Sequence, residues 1–209
     1  MDKNFKINAQ KLLAVEGKDE CNFFNALLTS ENMTSIQTVD IGGKEKFQIE
    51  LPLLMNLEGF DCIEAIGFVR DAEDGTVQSA FQSIKAILHR NGLPVPDALN
   101  SVMTNSSLKL SVFIMPDNQN SGMLEDLCLF SLNGEPVKSC VNEFITCFSQ
   151  SMQPKEKDKF NEPKARVQAY LSSRAPIVNS LGLAAQKGFW DFNHNCFNEI
   201  KLFLHNLFN

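Results

Sequence analysis

The chain has 209 residues, with 25 Asp+Glu against 19 Lys+Arg, a formal charge of -6 and 44% hydrophobic residues. That length suits one domain, or one domain with a helical extension, and is long enough to bury a core. The apolar fraction argues against global disorder, and the acidic balance argues against coating nucleic acid through bulk positive charge. An enzyme that touches nucleic acid locally stays open.

The first residues, Met1 to Asn8, carry no apolar signal-like run, and no stretch approaches the ~18 apolar residues of a membrane span. A cytoplasmic chain with no membrane contact is the expectation. The six cysteines (Cys21, Cys62, Cys128, Cys140, Cys147, Cys196) form no C-x-x-C pair and read as reduced, partly buried thiols. His194 and Cys196 form a lone pair with no partner cluster for a metal.

Four apolar runs that do not alternate predict strands buried on both faces. They are Leu12–Val15, Ile36–Ile41, Ala65–Val69 and Leu110–Met115. Between them lie helical patterns. Cys21–Leu28 carries Phe24, Leu27 and Leu28 on one face. Ile49–Leu57 predicts a second helix with Pro52 in its first turn, where proline is tolerated. A third helix carries the stripe Val77, Ala80, Phe81, Ile84, Ile87 and Leu88, with Asp74 or Thr76 as cap and Gly92 as stop. A fourth follows Gly122 with Leu124, Leu127 and Cys128. Strand and helix in alternation predict a parallel α/β sheet flanked by helices over residues 8–135. Residues 136–209 read as a helical C-terminal extension packed on that core. Its stripes are Val141, Phe144, Ile145 and Phe148, then Phe197, Ile200, Phe203, Leu204 and Leu207. Between these, Pro154–Pro163 reads as a charged linker, and Trp190 as an anchor among phenylalanines.

Open parallel sheets bind ligands beyond the carboxyl ends of their strands, and here each predicted strand runs into acids. The first meets Glu16, Asp19 and Glu20; the second meets Asp40; the third meets Asp71, Glu73 and Asp74; the fourth meets Asp117, then Glu125 and Asp126. Carboxylates forced together need protons or a cation, and hard oxygen ligands suit Mg²⁺ or Mn²⁺. Taken singly, Asp19, Glu20, Glu125 and Asp126 also fit as first-turn acids that complement a helix dipole. Glu16 and the Asp71/Glu73 pair, directly behind buried strands, carry the metal-site reading.

A strand ending in Glu16-Gly17, a helix, and a later strand ending in Asp71-Ala-Glu73 together resemble the Toprim domain. Topoisomerases, primases, recombination proteins and the OLD-type nucleases share that domain. Phe-Val-Arg-Asp-Ala-Glu, Phe-Ile-Met-Pro-Asp-Asn, Gly-Met-Leu-Glu-Asp-Leu-Cys and Gly-Phe-Trp-Asp-Phe, in that order, further resemble a bacterial group of small stand-alone Toprim-like proteins. The resemblance implies a Rossmann-like core and catalytic acids Glu16, Asp71 and Glu73. It implies Mg²⁺, or Mn²⁺, held by Glu16, Asp19, Asp71, Glu73 and Glu125. Glu73 departs from the Asp of many Toprim sequences, and its extra methylene shifts metal geometry.

The implied activity is a Mg²⁺-dependent nuclease acting on DNA or RNA, in defence or repair, with a separate ATPase as partner. Two cations about 3.5–4 Å apart activate water and stabilise the leaving oxygen. Lys18 and Arg70 flank the acidic motifs as candidate phosphate-binding residues. Lys155, Lys157, Lys159, Lys164 and Arg166 form a second basic stretch, interspersed with Glu156, Asp158 and Glu162, and read mainly as a solvated linker. Gly42-Gly43-Lys44 lacks the Walker pattern. Two rivals remain open: a non-catalytic Toprim-like regulatory module, and a Mg²⁺ enzyme acting on small phosphate esters.

Overall fold

The non-alternating runs do form a sheet covered on both faces. A computed structural model describes residues 5–105 and 107–209; Met1–Asn4, read above for a leader, lie outside the described residues. In chain order the first elements are β1 (Lys11–Val15), α1 (Lys18–Ser30), β2 (Ile36–Asp40) and α2 (Lys44–Met55). β3 (Ala65–Asp71), α3 (Val77–Arg90), β4 (Met103–Asn105), β5 (Leu108–Met115) and α4 (Leu124–Phe130) complete the α/β part. The C-terminal helices are α5 (Pro136–Ser151), α6 (Pro154–Lys157), α7 (Glu162–Ser172), α8 (Leu181–Gln186) and α9 (Asn198–Phe208). Among the described residues no helix is long and apolar enough to cross a membrane.

The strand order is β2-β1-β3-β5-β4, with all neighbours parallel except β4, which pairs antiparallel with β5. Successive residues of each strand feed opposite layers. Leu13, Val15, Val69 and Phe113 pack with α1, α4, α9 and the other C-terminal helices. Leu12, Ala14, Ile66, Phe68, Val112 and Ile114 pack with α2 and α3. Helix α9 lies against β3 because residue 67 is glycine. A Cβ there would fall 2.9 Å from Leu207 Cδ2, 3.0 Å from Leu13 Cδ1 and 3.1 Å from Phe203 Cζ. Trp190 is buried against Tyr170, with ring centroids 5.0 Å apart, and its indole N–H donates to the Leu181 carbonyl. All six cysteines are free thiols.

Three elements differ from expectation. Helix α2 begins five residues before Ile49, because Phe47, Leu51 and Leu54 form its buried stripe. Pro52 therefore sits inside the helix; the carbonyl it leaves without a donor belongs to exposed Gln48. In α5 only Val141 and Ile145 are buried, while Phe144 and Phe148 face outward. The expected linker contains the short turn of α6. As cap for α3 the chain uses Thr76, whose hydroxyl accepts from Ser79 N.

Candidate functional site

The carboxyl ends of β1 and β3 are neighbours, and their acids meet there. Glu16 follows β1 and Asp71 closes β3. The Asp71 backbone N–H donates to Glu16 Oε1 at 3.2 Å, and Asp71 Oδ1 accepts from Leu124 N, at the start of α4, at 3.1 Å. Burial pushes the Glu16 carboxyl up to about 7; Arg70 and the Asp71 N–H oppose the rise, and Glu73 and Glu20 add to it. Burial also raises Asp71 well above the usual carboxylate range, and Glu16, Glu125 and Glu20 raise it further.

Glu20 reaches this group because of Gly17. A Cβ at residue 17 would stand 2.5 Å from Glu20 Oε2, so the glycine leaves room for the acid to fold back over the start of α1. Glu20 and Glu125 are both raised by burial, and each feels the negative charge of its neighbours and the opposing charge of Lys164. In the sequence Glu20 reads as a first-turn acid and Lys164 as one charge of a solvated basic stretch. The recoverable signal was the glycine three residues ahead of Glu20.

Other expected site residues are placed differently. Asp19 caps the start of α8: its carboxylate accepts from Ser180 Oγ, from Leu181 N at 3.0 Å and from Gly182 N at 2.8 Å. Asp126 folds back onto Met123 N at 2.9 Å. Glu73 does not continue the strand alternation. Its backbone turns to φ 53° and its N–H donates to Gly122 O at 2.9 Å, which leaves the side chain exposed. It lines a cavity of about 440 Å³ with Glu16, Asp40, Gly42, Gly43, Glu45 and Lys46. Asp40 accepts from Gly42 N, Asp117 from Gln119 and Asn120, and His194 Nδ1 from Cys196 N, each a local turn.

Lys18 is exposed at the start of α1. Arg70 is buried, on the opposite side of β3 from Asp71. Its Nη1 donates to Ser83 Oγ at 3.3 Å, and its Nε lies 3.6 Å from Glu16 Oε1 without a hydrogen-bond partner. A guanidinium so placed faces the interior rather than incoming phosphate.

As the side chains stand, no three His, Cys, Asp or Glu residues among the described residues converge closely enough to hold a metal ion. The donor chemistry nevertheless fits a hard divalent cation. Glu16, Glu20, Asp71 and Glu125 offer only carboxylate oxygens, and burial together with the negative charge of neighbouring acids raises the proton affinity of each.

The family described as "Protein of unknown function (DUF3226)" matches residues 10–209, and the chain belongs to it. Among solved structures it is similar to the C-terminal region of the Xanthomonas campestris pv. campestris OLD protein. The mercury-phased structure of that region is 13% identical, covers 94% of this chain and 85% of its own, and has a TM-score of 0.36. The iodine-phased structure is 14% identical, with 87% and 80% covered and a TM-score of 0.37. No curated protein matches the chain.

Proposed function

We propose that this protein is a Mg²⁺-dependent phosphodiester hydrolase of the Toprim type, a nuclease of defence or repair that works alongside a separate ATPase. The observation that carries the reading is the Glu16–Asp71 pair, joined through the Asp71 N–H, with Glu20 and Glu125 near enough to add negative charge at Asp71. Glu16, Glu20, Asp71 and Glu125 would hold the cation. When bound it supplies a water of lowered pKa and charge stabilisation at the phosphoryl oxygens. Asp71 is fixed by Leu124 N and so offers a rigid oxygen, while Glu20 and Glu125 each rest on their own backbone N–H at the start of a helix. Glu16, half-protonated near neutral pH, can carry a proton at its carboxyl oxygen beside Arg70.

One observation favours a second reading. Arg70 already brings an internal cation to Glu16, as expected of a non-catalytic module that keeps the fold and regulates a partner. Cleavage of plasmid and single-stranded substrates in Mg²⁺ or Mn²⁺ separates the two. The hydrolase cuts as wild type, and Glu16→Gln and Asp71→Asn lose at least ~100-fold while keeping the native circular-dichroism spectrum. Substrates left intact by wild type in both metals, with and without an ATPase, would overturn the hydrolase reading.

A further inference from the structure

Helix α5 presents an aromatic face that the fold does not use. Phe144 is 59% exposed and Phe148 46% exposed, with rings nearly parallel (8°) and centroids 6.5 Å apart. Phe160 continues the row, its centroid 5.9 Å from that of Phe148. Between Phe148 and Phe160 the chain carries exposed Lys155, Lys157 and Lys159. Glu156 in this stretch accepts from Gln153 N at 3.0 Å, and Glu162, just beyond it, pairs with Arg166 at 2.6 Å. Asp158 is exposed between Lys157 and Lys159, so three lysines stand against two acids over residues 155–159 and the segment keeps a net charge of +1 in a chain that is acidic as a whole.

The row leads to the acidic rim. Asn161, next to Phe160, donates to Met123 Sδ at 3.8 Å, and Met123 immediately precedes α4, which carries Glu125. Lys164, one turn further on, acts on both Glu20 and Glu125. From the rim, the surface passes through Lys164 and Phe160 to Phe148 and Phe144.

We infer that this surface is a track for single-stranded nucleic acid, with unpaired bases stacking on Phe144, Phe148 and Phe160 and phosphates running along the lysines. Rings exposed at Phe144 and Phe148 and half-buried at Phe160, with lysines between the last two, match the chemistry of a strand whose bases are unstacked and whose backbone is anionic. A duplex hides its base faces and gains only the charge. The inference rests on the hydrolase reading for its direction, since the track delivers a strand to the acids.

The test measures fluorescence anisotropy of a labelled oligothymidylate at low salt in a chelator, so that no cleavage is required. Wild type binds it at least ~10-fold more tightly than a duplex of equal length. Phe144→Ala/Phe148→Ala weakens single-strand binding by ~10-fold or more with little effect on duplex binding. Both residues are exposed, so the double variant folds, as circular dichroism checks. Lys155→Gln/Lys157→Gln/Lys159→Gln flattens the salt dependence. No binding by wild type, equal binding of duplex, or a Phe144→Ala/Phe148→Ala variant that binds as wild type overturns the track. Selective binding without cleavage in metal leaves the track standing and removes the hydrolase reading. Cleavage with unchanged binding in the phenylalanine variant does the reverse.

Discussion

Gly182 donates its backbone N–H to Asp19 Oδ1 at 2.8 Å, and a Cβ at residue 182 would stand 2.2 Å from the Asp19 carbonyl oxygen. This pair locks α8 onto α1 beside the acidic rim. Removing the carboxylate strips acceptors from the start of α8, so Asp19→Ala lowers stability by about 2 kcal/mol. Gly182→Ala forces backbone apart and costs about 3 kcal/mol. Urea midpoints measure both. A wild-type midpoint for Asp19→Ala would show that the cap contributes nothing.

The rim also sets a pH dependence. Glu16 titrates at about 7 in the folded chain against an ordinary 4.5, so the folded state binds this proton more tightly than the unfolded one. Stability from Glu16 is therefore greatest below about pH 4.5 and falls as pH rises toward 7. Glu20, Asp71 and Glu125 shift in the same direction. In a chelator, stability declines from pH 5 to pH 8, and Glu16→Gln removes on the order of 2–3 kcal/mol of the decline. The comparison is between the two pH values, since loss of the Arg70 partner acts at both. Parallel profiles for wild type and variant would refute it.

Divalent ions should reverse that loss. At a hundredfold excess over its dissociation constant a cation adds about 2.7 kcal/mol, or roughly 5–10 °C in Tm for a chain of this size. Mg²⁺ and Mn²⁺ are expected to give this rise at pH 8, and Asp71→Asn or Glu125→Gln to abolish most of it. Thermal unfolding with and without metal decides; an unchanged Tm in wild type counts against a cation at the rim.

Gly67 makes a different prediction, away from the acids. Its missing side chain admits Leu207 and Phe203 of α9 onto β3. Gly67→Ala overpacks this contact and costs about 1–3 kcal/mol, with the larger Gly67→Val costing more. Differential scanning calorimetry should show both Tm values lowered in that order.

The central strands were readable because parallel strands are apolar on both faces. Strand β4 has only three residues on an edge and leaves no such signature. The α5 stripe showed a face but not how much of it neighbours would cover, so Phe144 and Phe148 appeared to be core. In the site, Glu16 and Asp71 were legible as acids following buried strands. The role of Asp19 was not, because its partners lie more than 160 residues along the chain and no local pattern encodes them. Arg70 looked like a flank of the motif, yet strand alternation turns it to the opposite layer from Asp71. Glu73 was paired with Asp71 by spacing, and the left-handed turn at residue 73 breaks that spacing.

The bond between Asp19 and residues 180–182 also has a bearing on synthesis. Contacts between such distant positions close late, after local helices and neighbouring strands have formed. A ribosome will have delivered Glu16, Glu20, Asp71 and Glu125 long before the start of α8 emerges to fix α1. The nascent chain is therefore expected to carry Glu20 on an unsecured helix, beside the strand that leads into Glu16. Maturation of the rim then coincides with docking of the last helices.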